Sequence, residues 1–288
     1  MLYSSVNFKP CQTVSVTDRG FAFGDGVFTT AKIFNCEVEY FPLHLARLQH
    51  GCKTLGIDNI DWLKVEAEMH TAAKAHNLGC LKVIITCGES ERGYARATVI
   101  KPNVVVTVSR FPDHLTNAKQ HGIELALSSH KLGISGMLAG LKHLNRLEQV
   151  MIKQDLNQMD ADDVVVCDIY DNVVECSSSN IFWYLDGQWQ TSIIDRAGVN
   201  GLYRQLLLNL CPDIKQVRLG VDKLNDAQAI FTCNAITGII AVRKYLSKSM
   251  DVNLVNTFCH QLEPLLTQPQ TILAQQGNTS KAEDQEGR

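Results

Sequence analysis

Short apolar runs punctuated by glycine and polar turns dominate this chain, and they restrict it to folds built around β-sheet. TVSVT, FAFGDGVFTTAKIF and CEVEYF open the sequence, and runs of this kind predict strands with one buried face. Gly24-Asp25-Gly26, between two aromatic-bearing stretches, reads as a tight hairpin. From Pro42 the pattern changes: Leu43, Ala46, Leu48 and Leu55 fall at rough helical spacing, and a second helix is expected over about 62–78. LKVIITC and NVVVTVSR then predict two strands on either side of the polar loop GESERGYARATVIKP. Residues 1–112 thus read as an α+β domain, one sheet covered by two helices.

FPDHLTN breaks the pattern and marks a domain junction. A second domain is expected over 118–268. It starts with IELALSS, passes through the glycine-bearing loop KLGISGMLAGLKH, and continues into a long helix over about 144–160. VVVCDIY and VVECSSSNIFWYL predict paired strands about an Asp171-Asn172 turn, a helix follows Gly201, and strands recur around AIFTCNAITGIIAV. The last segment, 269–288, loses its apolar content and is expected to be a disordered tail.

Several function classes are disfavoured. A net charge of −3 gives no reason to expect nucleic acid as partner. The charge-free stretch between Asp226 and Arg243 is too short and too polar to span a bilayer, and no secretory leader is evident. The ten cysteines form no CxxC pair and no set at metal-ligand spacing. Several lie inside apolar runs, which reads as buried reduced thiols in a cytoplasmic protein. The nine histidines show no HExxH pattern, and Ser177–Ser179 is not a GxSxG elbow.

Four features carry chemistry. Lys142, in MLAGLKHLN, lies among apolar neighbours; desolvation there lowers an amine's pKa and frees it for Schiff-base chemistry, though a lysine that simply reaches water fits the same residues. Glu175 ends a strand beside a Ser/Asn-rich turn, where a carboxylate can hold a ring nitrogen protonated or merely face solvent. Gly198-Val199-Asn200-Gly201 precedes a helix, and the amides at a helix start make an anion seat as well as an ordinary cap. Arg47, on the helix of LHLARL, is a bidentate partner for that anion or a surface arginine. Taken together, one amine, one carboxylate, one arginine and a helix start are what a pyridoxal-phosphate site requires.

At these residues the chain resembles the fold-type IV pyridoxal-phosphate enzymes, the family of branched-chain and D-amino-acid aminotransferases and aminodeoxychorismate lyases. The matching stretches are DRGFAFGDGVFTT, HLARL, ERGY, LKHLNRLEQV, ECSSSNIFW and GVNGLYR, in the family's order. The resemblance implies a two-domain α+β fold, with a small α/β sandwich and a β-barrel-like domain with helices, and a homodimer acting on a small molecule. It makes Lys142 the Schiff-base lysine, Glu175 the ring-nitrogen carboxylate and Arg47 the phosphate-binding arginine. Val199 and Asn200 become backbone donors to the phosphate, and Asn234 and Ala235 a further phosphate-side loop. Thr29, where the aminotransferases usually carry an acid, and Arg146, which follows Asn145, resemble the lyase branch. Within that branch Thr29, Arg92, Tyr94 and Arg146 are expected near the substrate, a dicarboxylate that would be cleaved to 4-aminobenzoate and pyruvate.

Overall fold

The computed structural model describes residues 1–90 and 92–266; the expected tail lies outside them. The chain divides into two compact units. One comprises Met1–His114 with Gly136–Val150, the other Leu115–Ser135 with the described residues from Met151 on. Residues 136–150, which sequence order places within the second half, therefore pack with the first unit.

The first unit contains β1 (Tyr3–Val6), β2 (Lys9–Pro10), α1 (Arg19–Phe23), β3 (Gly26–Phe34), β4 (Glu37–Val38), α2 (Phe41–Leu55), α3 (Trp62–Lys74), β5 (Leu78–Thr86) and β6 (Asn103–Ser109). Its strands form one antiparallel sheet in the order β2-β1-β6-β5-β3-β4. Alternation places Val27, Ala31 and Ile33, then Leu81, Val83 and Ile85, then Val104, Val106 and Val108 on one face. Leu48 and Cys52 of α2 and Val65, Met69 and Ala72 of α3 complete that core.

Two expectations fail here. TVSVT joins no ladder. Gly24-Asp25-Gly26 is not a hairpin but the exit of a helix: the Asp18 carboxylate accepts the amides of Gly20 and Phe21 at 2.7 and 3.2 Å, and Gly24, at φ 67°, ends α1. The alternating aromatics that suggested a strand, Phe21 and Phe23, lie exposed on this short helix.

In the second unit and its approaches follow α4 (His114–His121), β7 (Ile123–Leu127), α5 (Leu147–Leu156), β8 (Asp163–Cys167), β9 (Val173–Cys176), β10 (Asn180–Leu185), β11 (Gln188–Ser192), α6 (Leu202–Leu210), β12 (Lys215–Val217), α7 (Val221–Leu224), β13 (Ala229–Asn234), β14 (Gly238–Tyr245), β15 (Lys248–Ser249) and α8 (Val252–Leu266). The expected long helix is the shorter α5, and α8 had no sequence expectation. The sheet runs β12-β11-β10-β13-β14-β7-β8-β9, with β15 on β14. β9 is an edge and β10 lies four strands further in than its neighbour β8, yet only residues 177–179 join β9 to β10. The four steps from Cys176 to Asn180 reach about 14 Å at most, so the sheet must curl until its edge returns beside β10. The core agrees: Val173 and Cys176 of β9 share one cluster with Ile181 and Trp183 of β10 and with Val242 and Tyr245 of β14.

Candidate active site

In the first unit the lysine-bearing segment is held as an extra strand. Phe28 donates its amide to the Lys142 carbonyl at 3.0 Å, Leu144 donates to the Gly26 carbonyl at 3.0 Å, and Val27 bridges His143. Lys142 therefore lies before α5, not on its first turn, and its Nζ sits 4.5 Å from the centre of the Phe28 ring. The two glycines of the GDG segment make this docking possible. A Cβ at Gly24 would meet Asn145 Oδ1 at 2.4 Å, and one at Gly26 would meet the Ile85 carbonyl at 2.4 Å and Leu144 at 2.8 Å.

Asp25, between the glycines, is an ionic hub. Its carboxylate takes Arg19 Nε at 2.8 Å and Arg96 Nη2 at 2.5 Å. Burial would raise its pKa, but the hydrogen bonds and charges of Arg96 and Arg19 outweigh that and hold it below the ordinary carboxylate range. Arg19 is itself buried and donates further to the Ser90 hydroxyl and to the carbonyls of Gly93, Tyr94 and Ala95. It thereby anchors the loop bearing Arg92 and Tyr94. Both of those side chains are exposed, Tyr94 at 85 %, with its ring 5.4 Å from that of Phe23.

Arg47 projects from α2 and its Nη2 is buried with no hydrogen-bond partner among the described residues; burial pushes its pKa down to about 10. One turn earlier, His44 is fully buried. Its Nδ1 is 2.6 Å from Thr29 Oγ1 while Nε2 has no partner among the described residues. Desolvation, with the charges of Arg47 and Lys142, pushes this histidine down to about 3, so it stays neutral. Thr29 is thus buried on the helix side of β3 and engaged with His44, while strand alternation puts Thr30 on the face of Phe28. Sequence reading did not single out His44. Arg146 turns back on the lysine segment, donating Nε to the His143 carbonyl at 3.0 Å and bonding the His143 ring through Nη2. Burial and the Arg146 charge hold His143 down to about 4.

The second unit holds a backbone arch. Glu175, buried on β9, accepts the Val199 amide at 2.9 Å through Oε2. Gly198, at φ 82°, lets the chain fold over that carboxylate, where a Cβ would meet Val174 at 2.6 Å. The Val199 amide, expected to face an anion, is therefore given to Glu175. Asn180, unassigned from sequence although it lies in a matching stretch, clamps the arch from both sides: Nδ2 donates to the Val199 carbonyl at 2.8 Å and Oδ1 accepts the Gly201 amide at 3.1 Å. α6 then starts at Gly201 without a side-chain cap. Asn234 Oδ1 accepts the amides of Ile236 and Thr237, both at 2.9 Å, building a tight turn around half-buried Ala235.

The sequence profile of the family described as Amino-transferase class IV matches residues 26–245. The chain is 31% identical over 242 residues to an aminodeoxychorismate lyase of Vibrio harveyi, covering 82% of this chain and 89% of that one. It is 26% identical over 237 residues to a D-alanine aminotransferase of Bacillus licheniformis, covering 80% and 82%. Among solved structures, the 4-amino-4-deoxychorismate lyase of Pseudomonas aeruginosa superposes with a TM-score of 0.84 at 32% identity, covering 91% of this chain and 98% of that one.

Proposed function

The chain belongs to the amino-transferase class IV family, and we propose that it is a pyridoxal-phosphate-dependent lyase converting 4-amino-4-deoxychorismate to 4-aminobenzoate and pyruvate. The carrying observation is Lys142, fixed on both flanks to the start of β3 in a chain about a third identical to such lyases. The residues present suit the cofactor. Arg47 offers a buried guanidinium nitrogen with no hydrogen-bond partner among the described residues, and the start of α6 has no side-chain cap on its amides.

Bound pyridoxal phosphate supplies an aldehyde that takes up an amine and a cationic ring that withdraws electrons. Lys142 Nζ would be the amine that holds the aldehyde, and its free form would be the base for the proton on the substrate carbon that bears the amino group. Glu175 keeps a proton on the pyridine nitrogen, which maintains the ring as an electron acceptor. Arg47 pairs with the phosphate. Neutral His44 adds no further charge beside Arg47 and Lys142. Loss of the enolpyruvyl group as pyruvate is driven by aromatisation, and Lys142 returns a proton to the departing fragment.

Arg146 is read as a brace for the lysine segment, and Thr29 as the partner that orients His44. Arg92 and Tyr94, on the loop anchored by Arg19, remain the candidates for meeting substrate carboxylates, with Asn200, Asn234 and Ala235 lining the phosphate side. The expected domain division, a first domain over 1–112 and a cofactor-binding domain over 118–268, carries into this reading with residues 136–150 reassigned to the first. We read the working form as a cytoplasmic homodimer. The family resemblance supports the dimer, as do the exposed apolar side chains Val16, Phe21, Tyr94 and Met137 on the first unit. Among the described residues no helix is long and apolar enough to cross a membrane.

The test is product analysis. With aminodeoxychorismate, the wild-type protein is expected to release pyruvate and 4-aminobenzoate in equal amounts and to show a visible cofactor absorption band, and Lys142→Ala to lose both. Conversion of the cofactor to its amine form by D-alanine or leucine, without pyruvate release from aminodeoxychorismate, would establish the aminotransferase reading that the 26% relative represents.

A further inference from the structure

α6 carries a charged group to which the proposed reaction gives no role. Arg204 is 2 % exposed, and each acceptor it reaches is neutral. Nη1 donates to Asn200 Oδ1 at 2.7 Å, and Nη2 to the Ser192 carbonyl at 2.7 Å and to Gln216 Oε1 at 2.8 Å. Its Nε has no hydrogen-bond partner among the described residues. Burial lowers its pKa only to about 10, so the side chain remains a cation at neutral pH. A guanidinium held out of water among neutral groups is an unfavourable arrangement until an anion comes near.

Its position says where that anion goes. Arg204 and Asn200 are four residues apart, so the guanidinium lies under the first turn of α6, against the residue that precedes its Gly201 cap. The helix dipole adds positive potential at the same end. Side chains pin every residue of the arch: Val199 by Glu175 and Asn180, Asn200 by Arg204 and Gln205, Gly201 by Asn180. The arch consequently has a carboxylate at one residue and a guanidinium at the next. That polarity suits a ligand with a cationic ring nitrogen at one end and a phosphate at the other.

We infer that Arg204 is a positioning residue for the cofactor phosphate, holding the Asn200 side chain in register and supplying buried counter-charge beneath the start of α6. The inference rests on the cofactor reading above, and it is a claim about phosphate rather than about the reaction.

The experiment compares equilibrium binding of pyridoxal 5′-phosphate and of pyridoxal, which lacks the phosphate, to the full-length protein freed of cofactor. Inorganic phosphate serves as a competitor. Wild type is expected to favour the phosphorylated aldehyde. Arg204→Gln is expected to weaken pyridoxal 5′-phosphate by about tenfold and inorganic phosphate similarly, while leaving pyridoxal unchanged. Arg204→Lys keeps the charge and guards against misfolding; its preference is expected to stay within about threefold of wild type. Equal weakening of both aldehydes by Arg204→Gln, or a lysine variant as impaired as the glutamine one, overturns the inference and leaves the cofactor reading standing. A wild-type protein that binds neither aldehyde overturns both.

Discussion

Gly24–Gly26 and Gly198–Gly201 are both short glycine-bracketed segments leading into a regular element, and they are fixed by opposite means. In the first, charge meets charge: Asp25 is gripped by Arg19 and Arg96, and the glycines admit Asn145, Leu144 and the Ile85 carbonyl at distances no side chain tolerates. In the second, the pinning bonds run to backbone and amide groups, and the Arg204 charge has no acid hydrogen-bonded to it among the described residues. The first segment uses its ionic groups to build structure. The second keeps a buried cation available to a ligand, which is the more suitable arrangement for a phosphate seat.

Three substitutions probe that contrast. Asp25→Asn is expected to have the largest effect, about 3–5 kcal/mol of lost stability by chemical denaturation, because it strands two arginines in a largely buried site. Its pH signature sharpens the point. The Asp25 carboxyl is held below its ordinary range, so its stabilisation is complete above about pH 4 and disappears as acid carries the pH down through the lowered folded-state value. Asp25→Asn should flatten that acid limb, and an unchanged acid limb would show that the hub is not ionic. Asn180→Ala removes two neutral bonds from the arch and is expected to cost about 2 kcal/mol with little pH dependence below neutrality. A loss as large as that of Asp25→Asn would erase the distinction between the segments. Thr29→Val is the smallest, about 1 kcal/mol, since it removes only the partner of His44 Nδ1; Thr29→Ser should restore it.

The candidate site residues could be picked out because they lie in short local motifs. Lys142, Glu175, Arg47 and the 198–201 segment each announce a type of chemistry from their immediate neighbours. What could not be read was what holds them. The partners of Arg19 are Asp25, Ser90 and three carbonyls some seventy residues downstream, a set that no local pattern encodes. The register of 142–144 against β3 depends on glycines more than a hundred residues away. α1 was the avoidable error: Asp18 ahead of Arg19 is a legible helix cap, outweighed by an aromatic alternation that solvent, not a core, receives. His44 was hidden for a different reason. A histidine beside leucines reads as filler until its neighbours prove to be cations and a threonine.

The three-residue link from β9 to β10 has a further consequence. Because Glu175 stands just before it and Asn180 just after, the stitch that hoops the second sheet also sets the spacing between the two side chains that grip Val199. Lengthening that stitch by even a residue or two would slacken the hoop and the grip together. In this molecule the seam of the curled sheet and the calibration of the proposed anion seat are one and the same tether.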